Sequence, residues 1–156
     1  MTHVVFIHGA DGYDDDRAMS DSLGVPLIYP RMPDTDDWAS AIAAAIELAE
    51  IPVTPIGHSA GGYQLLRYLA ASSPPSFASV HVIAAPFPSG DPDWTFDGFD
   101  LPDNLDGIPR PLYLYASEDD EVVPFAHRDR WAAALPGARV RTTRGGHSLG
   151  NDLNSI

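Results

Sequence analysis

Six short apolar runs, separated by segments of helical pattern, constrain the fold of this chain more than any other feature. The runs cover residues 4–8, 26–29, 53–57, 79–85, 111–117 and 138–143. The first, fourth and fifth are apolar at consecutive positions, which is typical of strands covered on both faces. Their order with the helical segments predicts an α/β fold, namely a doubly wound, mostly parallel six-stranded sheet with helices on both faces.

Helical patterns fill most of the gaps between the runs. Apolar residues at helical spacing predict a helix over 38–49, with Asp34 or Thr35 as its N-cap. A second helix is expected to end at the Pro74–Pro75 pair, because proline cannot continue a helix. A third is expected to open at Pro124, since proline suits the first turn.

The segment 87–108 interrupts this alternation of strand-like runs and helical patterns. It is rich in Pro, Gly and Asp and carries four aromatic residues. A loop of this length in a compact domain is usually functional or disordered, and the aromatic content argues against disorder. We expect a short cap over the carboxyl ends of the strands. Its residues Trp94, Phe96 and Phe99 either line a substrate pocket or pin the loop to the core.

The sequence Gly57-His58-Ser59-Ala60-Gly61 is a Gly-x-Ser-x-Gly motif set between an apolar run and an amphipathic segment. This setting is typical of a nucleophilic serine on a tight strand-to-helix turn. The helix N-terminus beside the serine favours a developing oxyanion. The motif therefore predicts Ser59 as the nucleophile. A packing motif or a phosphate-binding turn is the alternative interpretation.

A serine hydroxyl needs a base and an orienting acid, which in this arrangement follow in the order Ser, Asp, His. The fifth run ends beside the adjacent Asp119 and Asp120, and the residues alone leave the choice between them open. The sixth run is followed by Gly145-Gly146-His147, which predicts His147 as the base. A surface-loop histidine is the alternative interpretation of this residue.

An oxyanion hole requires two N–H donors. We expect one from Ala60, directly after the nucleophile, and one from Ala10 in the loop after the first run. Tyr13 in the same loop is a further candidate pocket residue. His58 inside the motif is expected to brace the turn, and His8 to order the loop that carries Ala10.

Length and composition limit the possible number of domains, the possible ligands and the expected location of the protein. The 156 residues fit a single domain over 1–156, and the net charge of −13 argues against nucleic-acid binding. Cysteine is absent and the histidines lack metal-ligand spacing, so neither a metal nor another cofactor is expected. No apolar run approaches the length of a membrane span and no secretory signal is recognisable, so a cytoplasmic protein is expected. The oligomeric state is left open.

Several motifs together carry a family resemblance. They are His8-Gly9, the segment YPRMPDTDDW, GHSAGG with the downstream YLA, the Asp-Asp before Val-Val-Pro, and the final GGHS. With them the chain resembles the small α/β-hydrolases related to retinoblastoma-binding protein 9 and the bacterial YdeN-like proteins. The resemblance implies a minimal α/β-hydrolase fold with a short cap. It also implies that the triad acid lies four residues before Pro124, which selects Asp120 over Asp119.

The expected activity is that of a serine hydrolase, a carboxylesterase-like enzyme that cleaves small or medium acyl esters through an acyl-enzyme intermediate. The expected partner is therefore a small-molecule ester. The main alternative is a binding protein that keeps this fold and is catalytically weak or inactive. Acyl transfer or lyase chemistry with the same residues is a third possibility.

Overall fold

Six strands pair in parallel in one sheet of order β2-β1-β3-β4-β5-β6 in the computed structural model, which describes residues 2–72, 76–154 and 156. The strands are β1 (Val4–Ile7), β2 (Leu27–Ile28), β3 (Thr54–His58), β4 (Val80–Ile83), β5 (Leu112–Ser117) and β6 (Arg139–Thr143). The helices are α1 (Arg17–Asp21), α2 (Trp38–Leu48), α3 (Ala60–Ala71) and α4 (Ala126–Ala134). Two 3-10 helices cover Pro92–Trp94 and Leu149–Asn151. The predicted doubly wound α/β sheet is confirmed, and all of the described strand pairings are parallel.

The strand order reverses at β1. This strand pairs with β2 on one side and with β3 on the other, in a register that runs from Val4↔Thr54 to Ile7↔Gly57. The connections that leave β1 and β3 therefore diverge at the carboxyl edge of the sheet. Such a crevice is the usual ligand site of open α/β sheets. The loop with Ala10 and the turn with Ser59 both begin here.

Helices α2, α3 and α4 cover one face of the sheet. Helices α2 and α3 each present an apolar stripe to it, and α4 contributes the buried Trp131. Ile42 of α2, Leu66 of α3 and Trp131 of α4 join the strand residues Val5 and Leu114 in one core cluster. All five side chains are buried. This cluster fixes the direction of α3, the helix that begins immediately after Ser59.

The opposite face is covered by α1 and by the end of the chain. Met19 of α1 packs with Phe6, Leu149 and Leu153. The helices thus lie on both faces, as predicted. Farther along the same face, β4 contributes the partly buried His81, whose ring stacks on that of Tyr113 at 4.9 Å.

His81 gives the protein a measurable pH dependence of stability. Burial lowers the pKa of His81 from 6.5 to about 4, so the unfolded chain binds a proton in this range that the folded chain does not. The contribution of the neutral His81 to the free energy of unfolding is complete above pH 6.5 and is lost as the pH falls towards 4. It amounts to about 3 kcal/mol at most, and solvent screening of the partly accessible ring reduces it. We expect the free energy of unfolding in urea to fall more steeply between pH 6.5 and pH 4 for the wild type than for His81→Gln. Parallel pH dependences of the two proteins would contradict this assignment.

The start of α2 differs from the sequence prediction, and the predicted end of α3 falls outside the described residues. Asp37 is the N-cap of α2, since its carboxylate accepts a hydrogen bond from the Ser40 N–H at 3.1 Å. The expectation of Asp34 or Thr35 as this cap was wrong. Helix α3 ends at Ala71, and the Pro74–Pro75 pair lies outside the described residues. The assignment of residues 1–156 to one domain stays a prediction.

Candidate active site

Ser59 occupies the sharp turn between β3 and α3. Its backbone has φ 56° and ψ −125°, a conformation that a non-glycine residue adopts only where the surroundings enforce it. Its N–H donates to the Ile83 carbonyl at 2.8 Å, and its own carbonyl accepts from the Gly62 N–H at 2.9 Å. The strained residue is therefore held between the neighbouring strand β4 and the first turn of α3.

The glycines of the motif allow this turn to pack. A Cβ on Gly57 would lie 2.6 Å from the Gly62 Cα, and a Cβ on Gly61 would overlap the carbonyl oxygen of His8. Gly9, at the start of the loop after β1, faces Ser59 directly, since an added Cβ would lie 3.3 Å from the Ser59 Cβ. These close approaches explain why the sequence carries glycine at each position.

Asp120 and His147 meet at the carboxyl edge of the sheet. The His147 Nδ1 lies 2.9 Å from Oδ2 and 3.1 Å from Oδ1 of Asp120. The Asp120 side chain is 1% exposed, and its Oδ1 also accepts from the Val122 and Val123 N–H groups. Burial alone would raise the pKa of Asp120, but the hydrogen bonds from His147 and the two amides hold it below its usual value. The group is therefore a carboxylate that orients the imidazole.

Asp119 contacts the same loop without reaching the imidazole. Its Oδ1 accepts from the Ser117 hydroxyl and from the Gly146 N–H, the latter at 3.0 Å. These hydrogen bonds hold the pKa of Asp119 below its usual value. Asp119 thus fixes the main chain before His147, whereas Asp120 contacts the ring.

His147 lies beside the turn that carries Ser59. Its ring centroid is 4.7 Å from that of His58, and its carbonyl oxygen is 2.8 Å from the His58 Nε2. Within the described residues the Ser59 hydroxyl makes no hydrogen bond to His147. In enzymes without bound substrate this contact is often long and shortens when substrate binds.

Two main-chain amides near Ser59 have no hydrogen-bond acceptor among the described residues. They are those of Ala60, at the first position of α3, and Ala10, in the loop after β1. The loop is shaped by His8, because its Nδ1 lies 2.6 Å from the Gly9 carbonyl and its Nε2 accepts from the Met32 N–H at 2.9 Å. Free amides at a helix N-terminus and in an adjacent loop are suited to bind a negatively charged oxygen.

Sequence reasoning missed Asp16. Its Oδ2 accepts from the Gly9 N–H at 2.8 Å and lies 2.8 Å from the His58 Nδ1. Asp16 is the buried member of the run Asp14-Asp15-Asp16, with 5% exposure. Nothing in the sequence separates it from its two exposed neighbours, because only the three-dimensional packing directs this side chain under the loop.

The aromatic residues of the segment 87–108 border a cleft next to Ala60. The cleft has a volume of about 280 Å³, and its lining includes Tyr63, Trp94, Phe96 and Phe99. Phe99 packs edge-on against Tyr63 at 4.6 Å, so it anchors the segment to α3. Phe96 is 58% exposed, and its ring meets that of Trp94 at 6.2 Å. Trp94 and Phe96 therefore remain accessible to a ligand.

Tyr13 lies away from this aromatic cleft. It lines a second depression on the other side of Ala10, together with Arg31, Met32 and Trp38. The Arg31 guanidinium stacks over the Tyr13 ring at 4.2 Å. The structure thus separates Tyr13 from the three other predicted pocket residues, because the divergent loops after β1 and β4 carry them apart.

Two further properties follow from the described part of the chain. It contains no group of three or more His, Cys, Asp or Glu side chains placed to hold a metal ion. Within the same residues, no helix combines the length and the apolar character that a membrane crossing requires.

Comparison with known proteins gives one match to a family model. The model described as serine hydrolase matches residues 16–152, which include the serine motif, the two adjacent aspartates and His147. It spans most of the 156 residues.

Solved structures with the same architecture include the ydeN gene product from B. subtilis. That protein is 19% identical, with a TM-score of 0.72 over 97% of this chain and 90% of its own. A YdeN-like hydrolase from Pectobacterium atrosepticum is 20% identical, with a TM-score of 0.73 over 99% of this chain and 85% of its own. A pyrethroid hydrolase from Sphingobium faniae is 17% identical, with a TM-score of 0.69 over 98% of this chain and 93% of its own. At these identities the similarity establishes the minimal α/β-hydrolase fold.

Proposed function

Because the chain belongs to the serine hydrolase family, as a small YdeN-like member, we propose that it cleaves small or medium acyl esters through an acyl-enzyme intermediate. In this proposal Ser59 is the nucleophile, His147 is the general base and acid, and Asp120 orients the imidazole. The observation that carries it is the contact of the buried Asp120 carboxylate with His147 Nδ1, beside a serine at φ 56°. This combination supports nucleophilic catalysis better than a packing role.

The first half of the reaction forms the acyl-enzyme. His147 Nε2 takes the proton of the Ser59 hydroxyl as its oxygen attacks the ester carbonyl carbon. The carbonyl oxygen becomes an oxyanion, which the Ala10 and Ala60 N–H groups stabilise. The bond to the alkoxy group then breaks, and the leaving alcohol takes the proton from His147. Asp120 holds the Nδ1 proton in place throughout and stabilises the imidazolium.

The second half releases the acid. Water enters in place of the alcohol, His147 takes one of its protons, and the hydroxyl oxygen attacks the acyl carbon. The same two amides stabilise the second oxyanion. The bond from Ser59 to the acyl carbon breaks, and the serine oxygen recovers its proton from His147. The products are a carboxylic acid and the free enzyme.

A fluorophosphonate probe followed by intact-mass measurement tests this proposal. The probe phosphonylates an activated serine, so a single adduct on the wild-type protein is expected. A fold-retaining binding protein without turnover would give no adduct. Absence of labelling on folded protein would therefore rule out the proposed chemistry.

The aromatic cleft supports the size of the proposed acyl group. Trp94 and Phe96 offer an accessible apolar wall next to Ala60, and each methylene buried against such a wall contributes about 0.8 kcal/mol. Trp94→Ala combined with Phe96→Ala should therefore flatten the preference between short and medium acyl chains. The measurement is kcat/KM for p-nitrophenyl acetate, butyrate and octanoate, with acetate the least affected.

Tyr13→Ala serves as the matched control, because Tyr13 lines the other depression. It should leave the order of the three esters unchanged. Equal losses of the double variant on all three esters, together with a lower melting temperature, would show that the aromatic side chains hold the fold and do not select the acyl chain.

A further inference from the structure

Asp16 and His58 form a buried pair that the reaction described above does not use. The two side chains are 6% and 3% exposed, and the His58 Nδ1 lies 2.8 Å from the Asp16 Oδ2. His58 is the last residue of β3, directly before Ser59, and Asp16 precedes α1. The pair therefore links the turn that carries Ser59 to the end of the loop after β1, which carries Ala10.

Both ring nitrogens of His58 face hydrogen-bond acceptors. Nδ1 contacts the Asp16 carboxylate, and Nε2 lies 2.8 Å from the main-chain carbonyl oxygen of His147. A carbonyl oxygen has no proton to give, so Nε2 must carry a hydrogen. An ionised carboxylate is likewise an acceptor only, so Nδ1 must carry one as well. The two contacts together require an imidazolium ring.

The surroundings of Asp16 favour its ionised form. Burial alone would raise the pKa of Asp16, but its hydrogen bonds with His58 and with the Gly9 N–H hold it below its usual value. The same oxygen, Oδ2, accepts from the Gly9 N–H and faces His58. A carboxylate with two donors on one buried oxygen is the arrangement expected of a charge-assisted pair.

We propose that Asp16 and His58 form a carboxylate–imidazolium ion pair that positions the Ala10 amide and His147 relative to Ser59. The Asp16 arm fixes Gly9, the residue before Ala10, through its N–H. The His58 arm fixes the main chain of His147 through its carbonyl. Three separate segments of the proposed site thus share one buried salt bridge. Asp16 and His58 are positioning residues, and the inference rests on the proposed function.

His81 offers an internal reference for the charge on His58. Its ring is also bonded at both nitrogens, to the hydroxyls of Ser79 and Tyr115. A hydroxyl either donates or accepts, so a neutral ring satisfies both contacts. Nitrogen-15 NMR of the histidine rings at near-neutral pH should show two protonated nitrogens for His58 and one for His81. A single protonated nitrogen on His58 would overturn the ion pair.

Two substitutions of similar shape test separately the contacts of His58 with Asp16 and with the His147 carbonyl. The amide of His58→Gln reaches the position of Nε2 and keeps a donor for the His147 carbonyl, whereas that of His58→Asn reaches only the position of Nδ1. We expect His58→Asn to lower kcat on the order of 10²-fold through displacement of His147. His58→Gln should recover part of this loss, with KM in both variants within about threefold of the wild type. His81→Gln, outside the proposed site, should retain the wild-type kcat.

These readouts distinguish positioning from simple stabilisation. Wild-type kcat in folded His58→Asn, or a rise in KM without a change in kcat, would overturn the positioning role. Should the variants fail to fold, the ring-nitrogen spectrum of the wild-type protein still decides whether the ion pair exists. Failure of the wild type to react with the fluorophosphonate would instead overturn the proposed hydrolase chemistry, whatever the spectrum of His58.

Discussion

Replacement of Ser59 with alanine is expected to abolish ester hydrolysis, with a loss on the order of 10⁴-fold or more in kcat. The substitution removes the oxygen that would form the proposed acyl-enzyme, in the strained turn between β3 and α3. The fold should be retained, because the main-chain bonds from residue 59 to Ile83 and Gly62 do not involve the hydroxyl. The measurements are p-nitrophenyl ester hydrolysis and fluorophosphonate labelling, with circular dichroism to verify folding.

Ser89→Ala is the matched control for this experiment. Ser89 is an exposed serine of the segment 87–108, and its substitution should change neither labelling nor turnover. Full esterase activity in Ser59→Ala would show that the nucleophile lies elsewhere. Labelling that persists in this variant would lead to the same conclusion.

Substitution of Asp120 by asparagine is expected to lower kcat by about 10⁴-fold. The amide removes the charge that stabilises the imidazolium, and its NH₂ group offers His147 Nδ1 a donor where it needs an acceptor. The wrong imidazole tautomer then faces Ser59. The effect should appear in kcat with little change in KM, measured on p-nitrophenyl acetate under saturating conditions.

Asp119→Asn provides the neighbouring control. Its amide oxygen still accepts from the Ser117 hydroxyl and the Gly146 N–H, so the loop before His147 keeps these contacts. We expect a loss in kcat below about tenfold, as the imidazole keeps its own carboxylate partner. A larger loss in Asp119→Asn than in Asp120→Asn would mean that the two aspartates have been assigned in the wrong order.

The features that the sequence predicted well depend on local pattern. Strand β5 was expected over residues 111–117 and forms over Leu112–Ser117, because a run of apolar residues needs cover on both faces wherever it lies. The turn at Ser59 was predictable for a similar reason, since the Gly-x-Ser-x-Gly motif lies between an apolar run and an amphipathic segment, and Gly57 allows the close approach to Gly62 five positions later. The parallel pairing of the strands followed from the alternation of strand-like and helical segments.

The features that were missed depend on packing between distant segments. Four consecutive residues, 34–37, all have side chains that suit an N-cap, and the position where Trp38 enters the core decides that Asp37 takes this role. Asp16 contacts His58 across 42 positions of sequence. Tyr13, in the loop after β1, was predicted as a pocket residue together with Trp94, Phe96 and Phe99, whereas the loops after β1 and β4 place it in a different depression. Long-range geometry of this kind leaves no periodic trace in the sequence.

The register between β1 and β3 sets the points at which the two main-chain segments of the proposed oxyanion hole leave the sheet. Ile7 pairs with Gly57, so the loop to Ala10 and the turn to Ala60 leave the sheet from adjacent strands about 4.8 Å apart. The sheet thus sets where the two segments begin, and the buried Asp16 side chain then holds Gly9, the residue before Ala10. The cleft proposed to take the acyl group, in contrast, is lined in part by side chains of the segment 87–108. For enzyme engineering, this separates two tasks: libraries in residues 87–108 would explore the proposed substrate range, while the sheet and the Asp16–His58 pair, which hold the proposed reactive groups, lie outside that segment.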